Sequence, residues 1–311
     1  MDYNLNVLRK VAIFGTCIGL LVATACKKNA GKADDGDLNN QAFDKAFDST
    51  EPPPADRKPI EGADLSALNE GAKKRFEALA DKLPSPCGKA HSLRTSKNTD
   101  ASCLRAPFAI RYVVQMLDDG LTDKEVNKWY GKVYGAKALQ RAFKLGDDVP
   151  HSGPSDASVV LVEFYDYGCP ACKEFAPDLD AVAKSYPNDV AVYYKQFPLS
   201  SHPDSPGAAA AALAAHAQGK FDEMHVVLFQ SSPQHKLPAL QAYAQQLGLD
   251  MTKFASDYQA AAAKVVEDKN EGIAAEVGVT PTLFINGVSY EAPTIAHYVK
   301  IFVDEAIALK R

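Results

Sequence analysis

Seven consecutive residues, Val159-Val160-Leu161-Val162-Glu163-Phe164-Tyr165, form a β-branched, aliphatic and aromatic run interrupted by a single carboxylate. Such a run suits a strand buried on both faces, because a strand with one wet face alternates polar and apolar residues. Helical spacing over residues 172–186 and a second strand over 190–197 complete a βαβ unit, whose crossover is right-handed. The chain is therefore expected to be α/β. A long alanine-rich helical stretch is predicted over 204–230, with further helices to about 277. A strand at 282–285, an Asn286-Gly287 hairpin turn, a strand at 288–290 and a helix at 294–308 follow. That last helix places Ile295, Tyr298, Val299, Phe302 and Ala306 on one face.

Upstream the pattern is different. Arg9 and Lys10 precede an uncharged 15-residue run, residues 11–25, which matches the basic and apolar regions of a secretory signal and is short for a membrane span. Val22-Ala23-Thr24-Ala25-Cys26 fits either a signal-peptidase site or a bacterial lipoprotein box; the Lys27-Lys28 pair and a polar tether favour lipidation of Cys26. Residues 1–25 are read as the signal peptide and 26–62 as a flexible linker rich in Asp, Lys, Asn and Pro. A short helix with a thin apolar stripe is possible over 38–47. An all-α domain is expected over 63–145: Leu65, Leu68, Ala72, Phe76 and Leu79 share a helical face, a second helix covers 103–117, and Thr122-Asp123-Lys124-Glu125 is a capping box opening a third. The domain boundary falls in the 146–158 connector, leaving 146–311 as the α/β domain. The 46% apolar and 23% charged composition is that of a chain that buries a core, and the net charge of −5 draws it to neither nucleic acid nor anionic lipid.

Cys169-Pro170-Ala171-Cys172 stands where the first strand gives way to a helix. The unpaired N–H groups and partial positive charge of a helix N-terminus favour a thiolate, and Pro suits the first helical position because its missing donor has no partner to lose. The three-residue spacing lets a second sulfur, one turn along, attack a mixed disulfide made at the first. Cys169 is thus the expected nucleophile and Cys172 the resolving thiol. Covalent haem attachment requires His after the second cysteine, and Lys173 stands there. Structural zinc needs two more ligands, which Cys87 and Cys103 do not supply as a second C-x-x-C, so neither metal nor other cofactor is expected. A purely structural 169–172 disulfide is the remaining alternative.

With EFYDYGCPACKEFAP at 163–177 and GVTPTLFING at 278–287, the region from about 155 to 311 resembles a thioredoxin-fold thiol-disulfide oxidoreductase of the DsbA-like branch. The resemblance implies a thioredoxin-like fold with a helical insertion, which fits the 109 residues between Cys172 and Pro281. It implies that Glu163 is a buried carboxylate relaying the proton of the resolving thiol, that Pro177 kinks the active-site helix, and that Thr280-Pro281 is a cis-proline loop binding extended substrate. Lys195 on the next strand is a second expected partner of Glu163, and His202 reads as a loop or cap residue and not as a base. Ala171 supplies no cation between the cysteines, which predicts a couple less oxidising than the C-P-H-C relatives.

Once Cys17 leaves with the signal and Cys26 is lipidated, Cys87 and Cys103 remain as a natural pair. A bridge closing a loop of that length contributes about 3 kcal/mol, and a second redox pair passing electrons to Cys169 is the alternative to a structural staple. Residues 120–126, with Tyr134-Gly135, are similar to the helical domain of CcmH-like cytochrome c maturation proteins, which would make an apocytochrome the substrate. The expected function is disulfide exchange with cysteine-containing protein substrates in the periplasm, with a membrane or periplasmic redox partner and a lipid anchor in the membrane. A redox-idle binding module and a reductase serving cytochrome c maturation are the alternatives.

Overall fold

A computed structural model describes residues 58–135 and 139–310. The signal segment, Cys26, the 38–47 helix and most of the linker lie outside the described residues.

The first helix, α1 (Glu70–Lys82), starts later than its apolar spacing suggests, because Asn69 accepts the Ala72 N–H and caps it there. Leu65 and Leu68 sit in the preceding turns, with Leu68 buried. A short α2 (Leu93–Asn98) is capped by Ser92, and α3 (Ala106–Asp118) begins after Cys103, with Pro107 in its first turn. The capping box opens α4 (Asp123–Tyr134) as the sequence indicates, Thr122 and Glu125 exchanging side-chain to main-chain bonds.

The sheet has five strands in the order β1-β3-β2-β4-β5, formed by β1 (His151–Ser152), β2 (Val159–Tyr165), β3 (Val190–Gln196), β4 (Thr282–Ile285) and β5 (Val288–Ser289). Strands β2 and β3 run parallel, joined across α5 (Pro170–Ser185); the other three pairings are antiparallel. The two-residue β1 lies inside the stretch read as connector and is too short to leave a periodic signal. Asn286 and Gly287 make the β4–β5 turn with positive φ at both positions.

Between β3 and β4 stands a helical insertion: α6 (Ser205–His216), α7 (Phe221–Ser231), α8 (Leu237–Gln246) and α9 (Met251–Ala274). The stretch expected as one helix is two, broken where Gly219 takes φ +70°. Helix α6 is buried around most of its circumference, and its alanines let α7, α8 and α9 approach closely. The chain ends in α10 (Ala296–Leu309).

The pleat sorts the sheet into two faces. Leu161, Tyr165, Val192, Leu283 and Ile285 join the larger core with Phe175, Leu179, Tyr298 and Val299 from α5 and α10. Val162, Phe164, Ala191, Tyr193 and Phe284 form a second core with Phe197, Ala275 and Val277. The helices α1, α3 and α4 contribute to the larger core, where Tyr112 meets Tyr298 at 5.5 Å and Phe302 at 5.2 Å between ring centroids. Arg105 to Glu305 and Arg111 to Asp304 add ion pairs across the same α3–α10 contact.

Candidate active site

The site begins where β2 ends. Asp166 turns the chain: its main-chain carbonyl accepts the Cys169 N–H at 3.0 Å and its carboxylate the Gly168 N–H at 2.7 Å. Cys169 caps α5 in an extended conformation, with Pro170 opening the helix. This places both sulfurs at the helix N-terminus, and the two are free thiols.

They differ sharply in environment. Cys169 keeps 7% of its surface exposed and Cys172 none, so the first is the less buried of the two. A hydrogen bond from the Cys172 thiol, together with the N–H groups of Cys172 and Ala171, pulls Cys169 down to about 5 against the cost of its burial. Desolvation drives Cys172 the other way, far above the ordinary thiol range, with the neighbouring Cys169 and the Glu163 charge adding to it. One thiol is therefore an anion at neutral pH and the other holds its proton.

Glu163 projects from β2 toward the face that carries α5, between Leu161 and Tyr165 in the alternation of the strand. It is 1% exposed and its Oε1 has no hydrogen-bond partner. Burial raises it to about 8, with the charges of Asp180 and Cys169 raising it further. Lys195 is not its partner. In the β2–β3 register Glu163 stands opposite Tyr194, while Lys195 stands opposite Phe164 and faces the other side of the sheet, where it binds Asp268 at 3.1 Å and Glu271 at 2.8 Å. Adjacent positions on parallel strands point to opposite faces, and here the register separates the pair.

Thr280-Pro281 is a cis peptide leading into β4, and the Cys169 sulfur lies 3.3 Å from the Thr280 carbonyl oxygen. The structure thus brings Cys169 and Cys172 at the start of α5, Glu163 on β2 and Thr280 ahead of β4 together. Pro177 lies inside α5. Cys87 and Cys103 are joined by a disulfide in the helical region. Among the described residues no group of three or more His, Cys, Asp or Glu side chains is disposed to hold a metal ion.

Sequence reasoning passed over several neighbours. Gln196 donates to the Tyr165 hydroxyl, Tyr165 to Tyr167 at 3.0 Å, and Tyr167 meets His225 Nδ1 at 2.9 Å, a buried polar chain joining β3, β2, the turn and α7. Burial lowers His225 to about 3, so it is neutral. His202 Nδ1 lies 2.7 Å from Asp166 Oδ2. Asp166 carried a local signal, since Asp four residues before a helix is turn chemistry; its pairing with His202, a residue read from the sequence as loop or cap, carried none.

Three comparisons with known proteins bear on the chain. A model of the thioredoxin family matches residues 147–305. Na(+)/H(+) antiporter NhaA 1 of Mycobacterium sp. (strain KMS) is 36% identical over 146 residues, 45% of this chain and 24% of that protein, so the chain spans about a quarter of the length of such relatives. A thioredoxin-like oxidoreductase from Silicibacter pomeroyi DSS-3 is 26% identical, covering 51% of this chain and 92% of its own with a TM-score of 0.47. Oxidised BdbD from Bacillus subtilis is 22% identical, covering 55% and 97%, with a TM-score of 0.48.

Proposed function

The chain belongs to the thioredoxin family, and on that premise we propose that it is an extracytoplasmic thiol-disulfide oxidoreductase exchanging disulfides with cysteine-containing proteins through Cys169 and Cys172. The observation that carries this reading is the opposed pair: a sulfur that keeps some exposure held down at about 5 and a fully buried one held up, at the start of one helix. A structural disulfide has no use for that difference. Thiolate attack requires an ionised nucleophile and a leaving sulfur that can be protonated, which is what the two environments supply.

When a substrate thiolate attacks the oxidised pair, it bonds to Cys169 Sγ, the 169–172 bond breaks, and the electron pair stays on Cys172. Glu163, mostly protonated at pH 7, hands its proton to that thiolate. A second substrate cysteine then displaces Cys169 as the stable thiolate. In reverse, Cys169 attacks a substrate disulfide and Cys172 resolves it as Glu163 takes the proton. The Thr280 carbonyl, beside Cys169, is positioned to accept a main-chain N–H from an extended substrate.

Location outside the cytoplasm is supported by the signal-like segment at 9–25 and by the Cys87–Cys103 disulfide, since such bonds persist in oxidising compartments. Lipidation at Cys26 belongs to the same reading, and would anchor the protein at the membrane that holds its redox partner. The domain division proposed with it keeps 63–145 as a helical unit docked on the catalytic 146–311.

Trapping tests the exchange directly. A Cys172→Ala variant has no resolving thiol, so mixed disulfides with client proteins should accumulate at Cys169 and disappear on adding dithiothreitol. Absence of adducts in the compartment where the protein resides would favour a redox-idle binding module.

A further inference from the structure

The turn before the nucleophile carries a second pair of titratable side chains that the exchange described above leaves idle. The Asp166 side chain is fully buried, and its carboxylate accepts from the Gly168 N–H at 2.7 Å, the Leu199 N–H at 2.8 Å and His202 Nδ1 at 2.7 Å. With Nδ1 committed as donor to the carboxylate, the neutral imidazole carries its free lone pair on Nε2. The His202 side chain is 26% exposed, so the ring is reached from solvent while its partner is not.

The ring also lies against the catalytic turn. A Cβ built on Gly168 would stand 2.7 Å from His202 Cβ, 2.8 Å from its Cγ and 2.6 Å from Ser205 Oγ, so only glycine admits this approach. The root of the imidazole therefore packs on the main chain immediately before Cys169, whose own N–H is bonded to Asp166. One buried carboxylate fixes both the turn that presents the nucleophile and the orientation of the histidine. Ionisable groups on the elements meeting here include Cys169, Asp204 at the start of α6, and Lys269 of α9, whose ammonium binds the Pro198 carbonyl at 2.7 Å; of these and Asp166, Asp166 is the one bonded to the ring.

Resting on the oxidoreductase reading, we propose that His202 is the general base for the substrate thiol, with Asp166 setting its tautomer and direction. The substrate S–H bond breaks and its proton passes to His202 Nε2. The freed sulfur bonds to Cys169 as the 169–172 bond opens, and the leaving Cys172 thiolate is protonated by Glu163. A second substrate cysteine completes the exchange, so that two substrate thiols are oxidised to a disulfide and the protein disulfide is reduced. Two proton sites then serve two sulfurs: Glu163 inside for Cys172, His202 at the surface for the incoming cysteine.

The test uses the full chain, oxidised, mixed with a short peptide bearing two cysteines, with quenched-flow alkylation reading the loss of the 169–172 disulfide from pH 6 to 9.5. His202→Asn retains a donor for Asp166 and lacks the base; His202→Ala lacks both. Both variants should react about tenfold more slowly than the native protein at pH 7.5, where the peptide thiol is still mostly protonated, and match it at pH 9.5, where the peptide is already ionised. Alkylation of reduced Cys169 by iodoacetamide should stay within about twofold in both variants, which shows an intact turn. The proposal is overturned if His202→Asn matches the native rate at pH 7.5, or if both variants slow by the same factor at pH 7.5 and 9.5, as for a residue that merely holds the loop. A native protein inert to the peptide at every pH would overturn the oxidoreductase reading itself, a failure distinct from the other two.

Discussion

Cys169 gains its acidity from hydrogen bonds more than from any nearby cation, the first being the Cys172 thiol. In the reduced protein its thiolate absorbance near 240 nm should therefore titrate with a midpoint near 5, and Cys172→Ala should move that midpoint upward. A native midpoint near the ordinary thiol value, or one that Cys172→Ala leaves in place, would contradict the assignment. Glu163 works in the opposite sense. Its value in the folded protein is about 8 against an ordinary 4.5, so the native state keeps a proton that the unfolded chain has lost between those pH values. Its contribution is fully present below about pH 4.5 and is lost as pH rises through 8, by up to roughly 5 kcal/mol. Denaturant unfolding of the oxidised protein, where Cys169 does not titrate, should show Glu163→Gln losing less stability than the native protein from pH 5 to pH 9. It should also exchange disulfides more slowly, because the buried proton donor for Cys172 is gone. Parallel pH profiles for the two proteins would remove Glu163 from this role.

Helix α9 lies against the sheet at Gly272, where a Cβ would come within 2.6 Å of the Phe197 ring and 2.9 Å of Phe164. Gly272→Ala should destabilise the protein by about 1–3 kcal/mol, read as a lower urea midpoint at unchanged slope; an unchanged midpoint would mean that the rings yield freely. These elements also show what the sequence made legible. The near-continuous run at 159–165 announced a strand covered on both faces, and the Thr122–Glu125 box announced a helix start, because both signals are local and physical. Placing Cys169 at the mouth of α5 needed only the strand-to-helix change of period and Pro170. What escaped was set by contacts remote in sequence. Glu163 and Lys195 looked like partners until the register put them on opposite faces, and the broken helix at Gly219 was hidden by alanines that suit any helical position. Asp166 with His202, and the Tyr165–Tyr167–His225 chain, exist only because the insertion folds back over the catalytic turn.

Across the whole molecule, the helical region and the catalytic region are held together along α10. Arg105 bonds Glu305, reaches the Pro86 carbonyl at 3.3 Å, and lies over Tyr134 at 4.6 Å, so the 87–103 disulfide braces the loop on which that arginine leans. Replacing both cysteines with alanine should cost about 3 kcal/mol in urea unfolding while leaving the rate of Cys169 alkylation unchanged; an altered alkylation rate would instead tie the bridge to the catalytic pair. The central claim is that Cys169 and Cys172 form a redox couple open to exchange. It is tested most directly by equilibrating the protein in glutathione buffers of stepped potential and counting trapped thiols by mass spectrometry at both cysteine pairs. With Cys169 near 5, between the roughly 7 of thioredoxin and the roughly 3.5 of DsbA, the couple should titrate between their potentials of about −270 and −120 mV. A 169–172 disulfide that stays closed through the whole range, as a structural bond below about −300 mV would, contradicts the account.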